Sequence, residues 1–336
     1  MRYPEFLKNN LGFIAPSFGA VIEPYHTLFN YALDAFGEKG INSVPGPNCY
    51  AGEGYGKSST AEKCAAEINE FFARSDIDAI ISCGGGETMC EDLSFVDFDA
   101  IKSAPAKWFM GYSDNTNLIL TLPTICDTAA IYGPCASSFG QEPWHASLYD
   151  AFDLITGKKL TFHNYDFWEL REDENAGVRD SYNATEPFSM KTYNVKGEFE
   201  GRLLGGCIDC LSVLCGTPFD KVREFNERYK EDGTLWFLES CDLSAMSFRR
   251  ALWQLKSAGW FETAKGFIFG RPLHFGEDFM GKGFIDNALD ILGDMKLPMV
   301  FDVDIGHLPP MIPVIAGAIG KVTAENNSFS IKYELK

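Results

Sequence analysis

A serine hydroxyl becomes a useful nucleophile at neutral pH only with a base within about 2.6–3.2 Å and a third group to orient that base. Three residues scattered through this 336-residue chain share a context that suits those roles. Ser113 follows the apolar run Trp108-Phe109-Met110 and the corner at Gly111. Glu239 closes the run Leu235-Trp236-Phe237-Leu238. His307 comes after the run 298–303 and directly after Gly306. Ends of parallel strands on one sheet edge converge on a cleft, so distant positions can meet there. The pattern therefore predicts Ser113 as nucleophile, His307 as base and Glu239 as orienting carboxylate. Their chain order, Ser then acid then His, also occurs in α/β-hydrolases. Each residue taken singly has a plainer reading: a helix cap at Ser113, a solvated acid at Glu239, a turn histidine at His307.

Residues around the serine add an oxyanion site to the expectation. Asp114, Asn115 and Thr116 suit the cap or first turn of a helix over 117–125. Such a helix start directs partly positive N–H groups toward the serine. A second backbone site is Gly84-Gly85-Gly86, after the apolar run 79–83, where N–H groups of Gly85 or Gly86 can meet an anion. The glycine loop lacks the Lys-Ser/Thr of a phosphate loop, which disfavours nucleotide hydrolysis. No HExxH-like pattern is present. His26 and His145 fall on predicted helices, and His163 and His274 fall on loops. Cys207-Ile208-Asp209-Cys210 has CxxC spacing but no second pair and no nearby histidine, so neither a metal nor a cofactor is expected.

The elements that must position these residues alternate between strand and helix. Strands are predicted over 11–15, 41–44, 79–83, 107–110 and 129–132. Helices are predicted over 24–38, from a Ser59/Glu62 capping box to about 74, over 117–125 and over 145–156. That alternation indicates a doubly wound parallel sheet. Residues 163–197, including Trp168, Glu172, Asp173 and Glu174, are polar and aromatic without a helical period. They read as a junction in which Phe167 or Trp168 could line a pocket. Beyond it come a strand over 197–204, the segment Gly205-Gly206-Cys207 leading into a helix to about Cys215, an exposed amphipathic helix over 220–231, and strands over 235–239, 266–270 and 298–303. Helices over 244–258 and 283–294 separate these strands, and a hairpin turning at 325–328 closes the chain.

Composition limits the function classes. Hydrophobic residues make up 46 percent of the chain, enough for a large core. The formal charge of -18 argues against nucleic acid and anionic membranes as partners. No apolar run reaches the roughly 18 residues of a membrane span. With ten scattered cysteines and no signal-like start, the expectation is a cytoplasmic protein with reduced thiols.

Against this background the chain resembles the LD-carboxypeptidase family of serine peptidases, which includes murein tetrapeptide carboxypeptidases and microcin C immunity peptidases. The similarity runs through Ala15-Pro16-Ser17, the Gly85-Gly86 turn, Gly111-Tyr112-Ser113-Asp114-Asn115-Thr116 and Tyr132-Gly133-Pro134. It continues through Glu200 to Gly206, Gly216-Thr217-Pro218, Phe237-Leu238-Glu239, Gly270-Arg271 and Gly306-His307. One departure is Cys207, where Asn usually follows the Gly-Gly pair. The resemblance implies a Rossmann-like N-terminal domain (1–165), a linker and active-site loop (166–196) and a smaller α/β C-terminal domain (197–336), as a homodimer. It also implies the Ser113, Glu239 and His307 triad, an oxyanion hole from the N–H groups of Gly86 and Asp114, and substrate contacts from Gly85 and Trp168. Arg271 or Arg202 would meet a substrate carboxylate. The implied reaction is amide hydrolysis releasing a terminal D-amino acid from a muropeptide, with peptidyl-nucleotide amides as the alternative substrates. Two competing readings remain on the same fold: an esterase-like hydrolase and a non-catalytic small-molecule binding protein.

Overall fold

Two sheets carry the site. The computed structural model describes residues 1–54, 56–171 and 175–336; Tyr55 of the 45–57 loop and Glu172, Asp173 and Glu174 of the 163–197 stretch lie outside the described residues. The first sheet has six strands in the order Val314–Ala316, Ala130–Tyr132, Trp108–Gly111, Ala79–Ser82, Asn10–Ile14 and Asn42–Pro45. Five of these run parallel and the Val314–Ala316 edge is antiparallel. The strands Ala79–Ser82 and Trp108–Gly111 are buried at every position. This accounts for their unbroken apolar runs, since a parallel sheet is covered on both faces.

The second sheet has eight strands. Its centre is the parallel set Phe199–Cys207, Thr234–Glu239, Ala264–Gly270 and Met299–Val303. Thr161–His163, Ser328–Glu334 and Ile319–Glu325 extend one side, and Lys191–Tyr193 the other. Side chains along Thr234–Glu239 alternate between two cores. Leu235 and Phe237 join the core shared with the first sheet; Trp236 and Leu238 join the core under the helices Ala245–Ser257 and Phe284–Leu292. That period of two is the geometry of a strand with both faces occupied. Among the described residues no helix is long and apolar enough to cross a membrane.

Several local expectations change in the structure. The helix predicted from a Ser59/Glu62 capping box runs Ala61–Ala73 with Thr60 at its cap and no side-chain cap bond. Ser59 is instead buried ahead of it. The Gly205-Gly206-Cys207 segment, read as leading into a helix, is the end of the strand Phe199–Cys207, and the helix is Ile208–Leu214. Gly205 and Gly206 have φ of 152° and 138°. A Cβ on Gly205 would overlap the Phe237 carbonyl oxygen, and one on Gly206 would lie 2.7 Å from Thr116. These glycines permit close approach rather than marking a break. The helix expected over 220–231 is shorter, Val222–Arg228, and buries Val222 and Phe225. Within 163–197, Phe167–Trp168 pairs with Glu186–Pro187.

Candidate active site

Ser113 occupies the left-handed region, with φ of 62°, in a short 3-10 turn between the strand Trp108–Gly111 and the helix Thr116–Ile125. Such a conformation costs a non-glycine residue about 1–3 kcal/mol and persists only where its surroundings hold it. Here they do. The Ser113 N–H donates to the Tyr132 hydroxyl at 3.2 Å, and the Asn115 carboxamide donates to the Gly84 and Tyr112 carbonyls at 2.9 Å each. Gly85 leaves room for the serine, since a Cβ there would sit 2.9 Å from Ser113 Cβ. The expected capping by Asp114 and Asn115 does not occur. The Asp114 carboxylate accepts instead from the Ser17 hydroxyl at 2.5 Å and the Met89 N–H at 2.9 Å. Gly86 stands against the same serine; a Cβ on it would overlap the Ser17 hydroxyl.

The second sheet delivers the other two groups. His307 Nε2 lies 2.9 Å from Ser113 Oγ, and His307 Nδ1 lies 2.8 Å from Glu239 Oε2. The carboxylate can only accept, so Nδ1 carries the proton and Nε2 is free to take one from the serine. Gly306, with φ of 106°, makes this approach possible: a Cβ on it would lie 2.6 Å from Glu239 Oε2. The Tyr112 ring packs on the imidazole at a centroid distance of 5.1 Å. The remaining oxygen, Glu239 Oε1, accepts from the Tyr132 hydroxyl. Tyr132 thus ties the Ser113 backbone to the Glu239 carboxylate.

Burial sets the electrostatics. The Glu239 side chain is fully enclosed and that of His307 is 12% exposed. Burial is the largest single influence on His307 and pulls its pKa down. The Glu239 charge, with hydrogen bonds to Cys241 and Glu239, outweighs it and holds the imidazole well above its ordinary value. Burial raises Asp114 despite its bonds to Ser17 and Met89. In front of Ser113 lies a cavity of about 190 Å³, lined by Gly86, Glu87, Ser113, Asp114, Asn117 and residues from 207–213 and 241–242. Its geometry suits attack by an activated serine on a carbonyl, and Gly86 and Asp114 line the same space as the hydroxyl. Among the described residues no cluster of three or more His, Cys, Asp or Glu is arranged to hold a metal ion.

The other residues singled out from the sequence lie elsewhere. Arg271 is 1% exposed. It forms an ion pair with Asp304, donates to the Asp302 carbonyl at 2.8 Å and lies 4.7 Å from the Trp168 ring. Trp168 is buried and packs edge-on against Phe275. Neither belongs to the wall of the Ser113 cavity. Arg202 pairs with Asp232 and donates to the Gly317 carbonyl at 2.6 Å. Sequence reading gave no role in the site to Tyr132, Ser17 or Asp209. Asp209 accepts N–H bonds from Cys241 at 3.1 Å and Asp242 at 2.8 Å, which pins the loop after Glu239. The one local signal for Tyr132 was its place at the end of the strand beside the serine's own.

Comparison with known proteins gives the family and the fold. A family model described as the LD-carboxypeptidase N-terminal domain matches residues 11–133, and one described as the LD-carboxypeptidase C-terminal domain matches residues 200–322. The chain is 25% identical over 335 residues to the microcin C7 self-immunity protein MccF of Escherichia coli, covering 98% of this chain and 94% of that protein. It is 29% identical over 204 residues to the protein named "Probable murein peptide carboxypeptidase" of Bacillus subtilis, covering 60% and 54% of the two chains. The structure of MccF in complex with glutamyl sulfamoyl guanosine superposes with a TM-score of 0.82 at 21% identity, over 98% of each chain, and so shares the fold.

Proposed function

The chain belongs to the LD-carboxypeptidase family of serine peptidases, and from that premise we propose that Ser113, His307 and Glu239 are its catalytic triad. Ser113 attacks an amide carbonyl while His307 takes its proton. Glu239 holds the imidazole in the productive tautomer and balances the imidazolium. The N–H groups of Gly86 and Asp114 receive the oxyanion, a contribution of about 2.7–4 kcal/mol for each such donor. His307 then protonates the leaving amine, and water, activated by the same imidazole, hydrolyses the acyl-enzyme. The single observation that carries this reading is the relay from Ser113 Oγ through His307 to Glu239, at 2.9 and 2.8 Å.

The substrate that follows is a short peptide whose terminal D-amino acid is the leaving group, as in a muropeptide. A second reading, cleavage of an aminoacyl- or peptidyl-nucleotide amide, is favoured by the likeness to MccF over 98% of this chain. We place the protein in the cytoplasm as a homodimer acting in peptidoglycan recycling, with the lobes divided at 1–165, 166–196 and 197–336. A turnover assay with a muropeptide ending in D-Ala and an aminoacyl sulfamoyl nucleoside, run in parallel, separates the two substrate readings. Ser113→Ala should abolish both activities and labelling by a fluorophosphonate probe while the fold persists. Retained turnover in that variant would refute the triad.

A further inference from the structure

The loop Gly84-Gly85-Gly86 has no side chains of its own to hold it, and a glycine backbone has wide conformational freedom. Ser17 and Phe18, just after the strand Asn10–Ile14, supply the hold. The Phe18 N–H donates to the Gly85 carbonyl at 2.9 Å, and the Ser17 carbonyl accepts from the Ser58 N–H at 2.7 Å. Among the described residues every cis bond precedes a proline. The Gly85–Gly86 peptide is therefore trans, and its carbonyl and N–H point in opposite directions. Phe18 fixes the carbonyl edge, which leaves the Gly86 N–H facing away from Phe18. Among the described residues that N–H has no hydrogen-bond partner, and Gly86 lines the Ser113 cavity.

A side-chain latch completes the hold. Ser17 is 4% exposed, and a Cβ on Gly86 would sit 2.1 Å from its Oγ, so the hydroxyl packs directly on the glycine. Asp114 aims that hydroxyl. Its Oδ2 accepts from Ser17 Oγ at 2.5 Å and from the Met89 N–H at 2.9 Å, and the carboxylate also accepts from the Thr88 N–H. A hydroxyl bonded to a carboxylate at this distance is of the strong, charge-assisted kind. Asp114 Oδ1 accepts from Asn117 Nδ2 at 3.0 Å. One carboxylate thus joins the segment packed on Gly86, the far end of the same loop and the first turn of the helix Thr116–Ile125. Because Asp114 is the next residue after Ser113, these bonds also set where the glycine loop stands relative to the nucleophile.

We propose that Ser17 and the Asp114 carboxylate are positioning residues for the oxyanion site: they hold the Gly85–Gly86 peptide where its N–H meets the oxygen of the reacting carbonyl. The inference rests on the triad reading above and deepens it. Ser17 is not part of the cavity wall, so it acts through Gly86 and not on substrate. An oxyanion donor is aimed at where the oxygen stands in the transition state, so a loosened loop costs kcat and spares ground-state binding.

Ser17→Ala in the full chain removes the hydroxyl alone. Losing a whole oxyanion donor costs about 10²–10³ in kcat, so a displaced one should cost about 10- to 100-fold, with KM within about twofold of the parent. A boronic acid analogue of the substrate's acyl half separates this from a general packing defect. Ser113 Oγ adds to boron, its proton passes to His307, and the tetrahedral anionic adduct places an oxygen in the oxyanion site. Its inhibition constant should weaken by the same factor as kcat. Calorimetric binding of uncleaved substrate to Ser113→Ala should be unchanged when Ser17→Ala is added. Asp114→Asn keeps the shape and removes the charge. It carries the same measurements if Ser17→Ala fails to fold, and the double variant should lose little beyond Asp114→Asn, since the two side chains act through one bond. An active parent whose variants keep kcat and boronate affinity, or lose ground-state binding in equal measure, would overturn the positioning role alone. A parent with neither turnover nor boronate adduct would overturn the triad reading and this inference with it.

Discussion

Tyr132→Phe isolates what the buried hydroxyl contributes. It removes one oxygen that serves two partners, the Glu239 carboxylate and the Ser113 N–H. The ring itself stays packed against Phe237, at 5.6 Å between centroids, so the core volume is nearly kept. A hydrogen bond to a charged group is worth about 1.5–3 kcal/mol, and an orphaned buried N–H costs about 1–3 kcal/mol. If the transition state loses only the charged bond, kcat/KM falls roughly 10- to 150-fold, at about 1.36 kcal/mol per factor of ten. Tyr132 is fully buried and so does not touch substrate. The loss should therefore fall on kcat and leave KM almost unmoved. The pH profile should shift as well. Without the phenol, Glu239 gives its full charge to His307, and the acid limb moves to higher pH. Steady-state kinetics from pH 5 to 10, with a thermal melt to show an intact fold, make the measurement. A folded variant within twofold of the parent kcat/KM and with an unmoved acid limb would refute the claim that Tyr132 positions the nucleophile and the acid.

Other perturbations read different parts of the site. In the parent, kcat/KM should rise with pH along a limb lying above 6.5, because His307 must lose a proton that Glu239 helps it keep. The same shift gives a stabilisation that is complete below His307's ordinary pKa and fades as pH rises through the raised one, visible as a falling melting temperature. With Glu239→Gln the main raising charge on the imidazole is gone, so the limb should move to lower pH while activity drops by roughly 10⁴, as for an amide that favours the wrong tautomer; a limb left in place would show that Glu239 is not the charge His307 feels. Arg271→Ala strips the partner from the buried Asp304 and should lower unfolding stability by about 3–5 kcal/mol in a urea titration. An unchanged unfolding midpoint with a raised KM would instead identify Arg271 as a substrate group.

Much of the scaffold was legible because its signals are local. An apolar run closed by glycine and a polar residue marks a buried strand and its exposed end wherever it occurs. Ser113, Glu239 and His307 could be chosen on that basis, and the parallel α/β class followed from strand and helix alternation. The hairpin around Asn326 and Asn327 was equally local, with both asparagines in the left-handed region. What could not be read were pairings between segments remote in the chain. Ser59 and Asp114 both match helix-start patterns, yet neither caps its helix. The Asp114 carboxylate has a stronger claim on it from Ser17, 97 residues earlier. Tyr132 looked like the last residue of a strand until the second sheet brought Glu239 to its hydroxyl from 107 residues away. Arg271 had the chemistry to hold a substrate carboxylate, but the fold spent that charge on Asp304. Local sequence thus determined which residues stand at strand ends. The packing of one sheet on the other decided which of them touch, because hydrogen bonds reach about 3 Å and only tertiary structure sets separations on that scale.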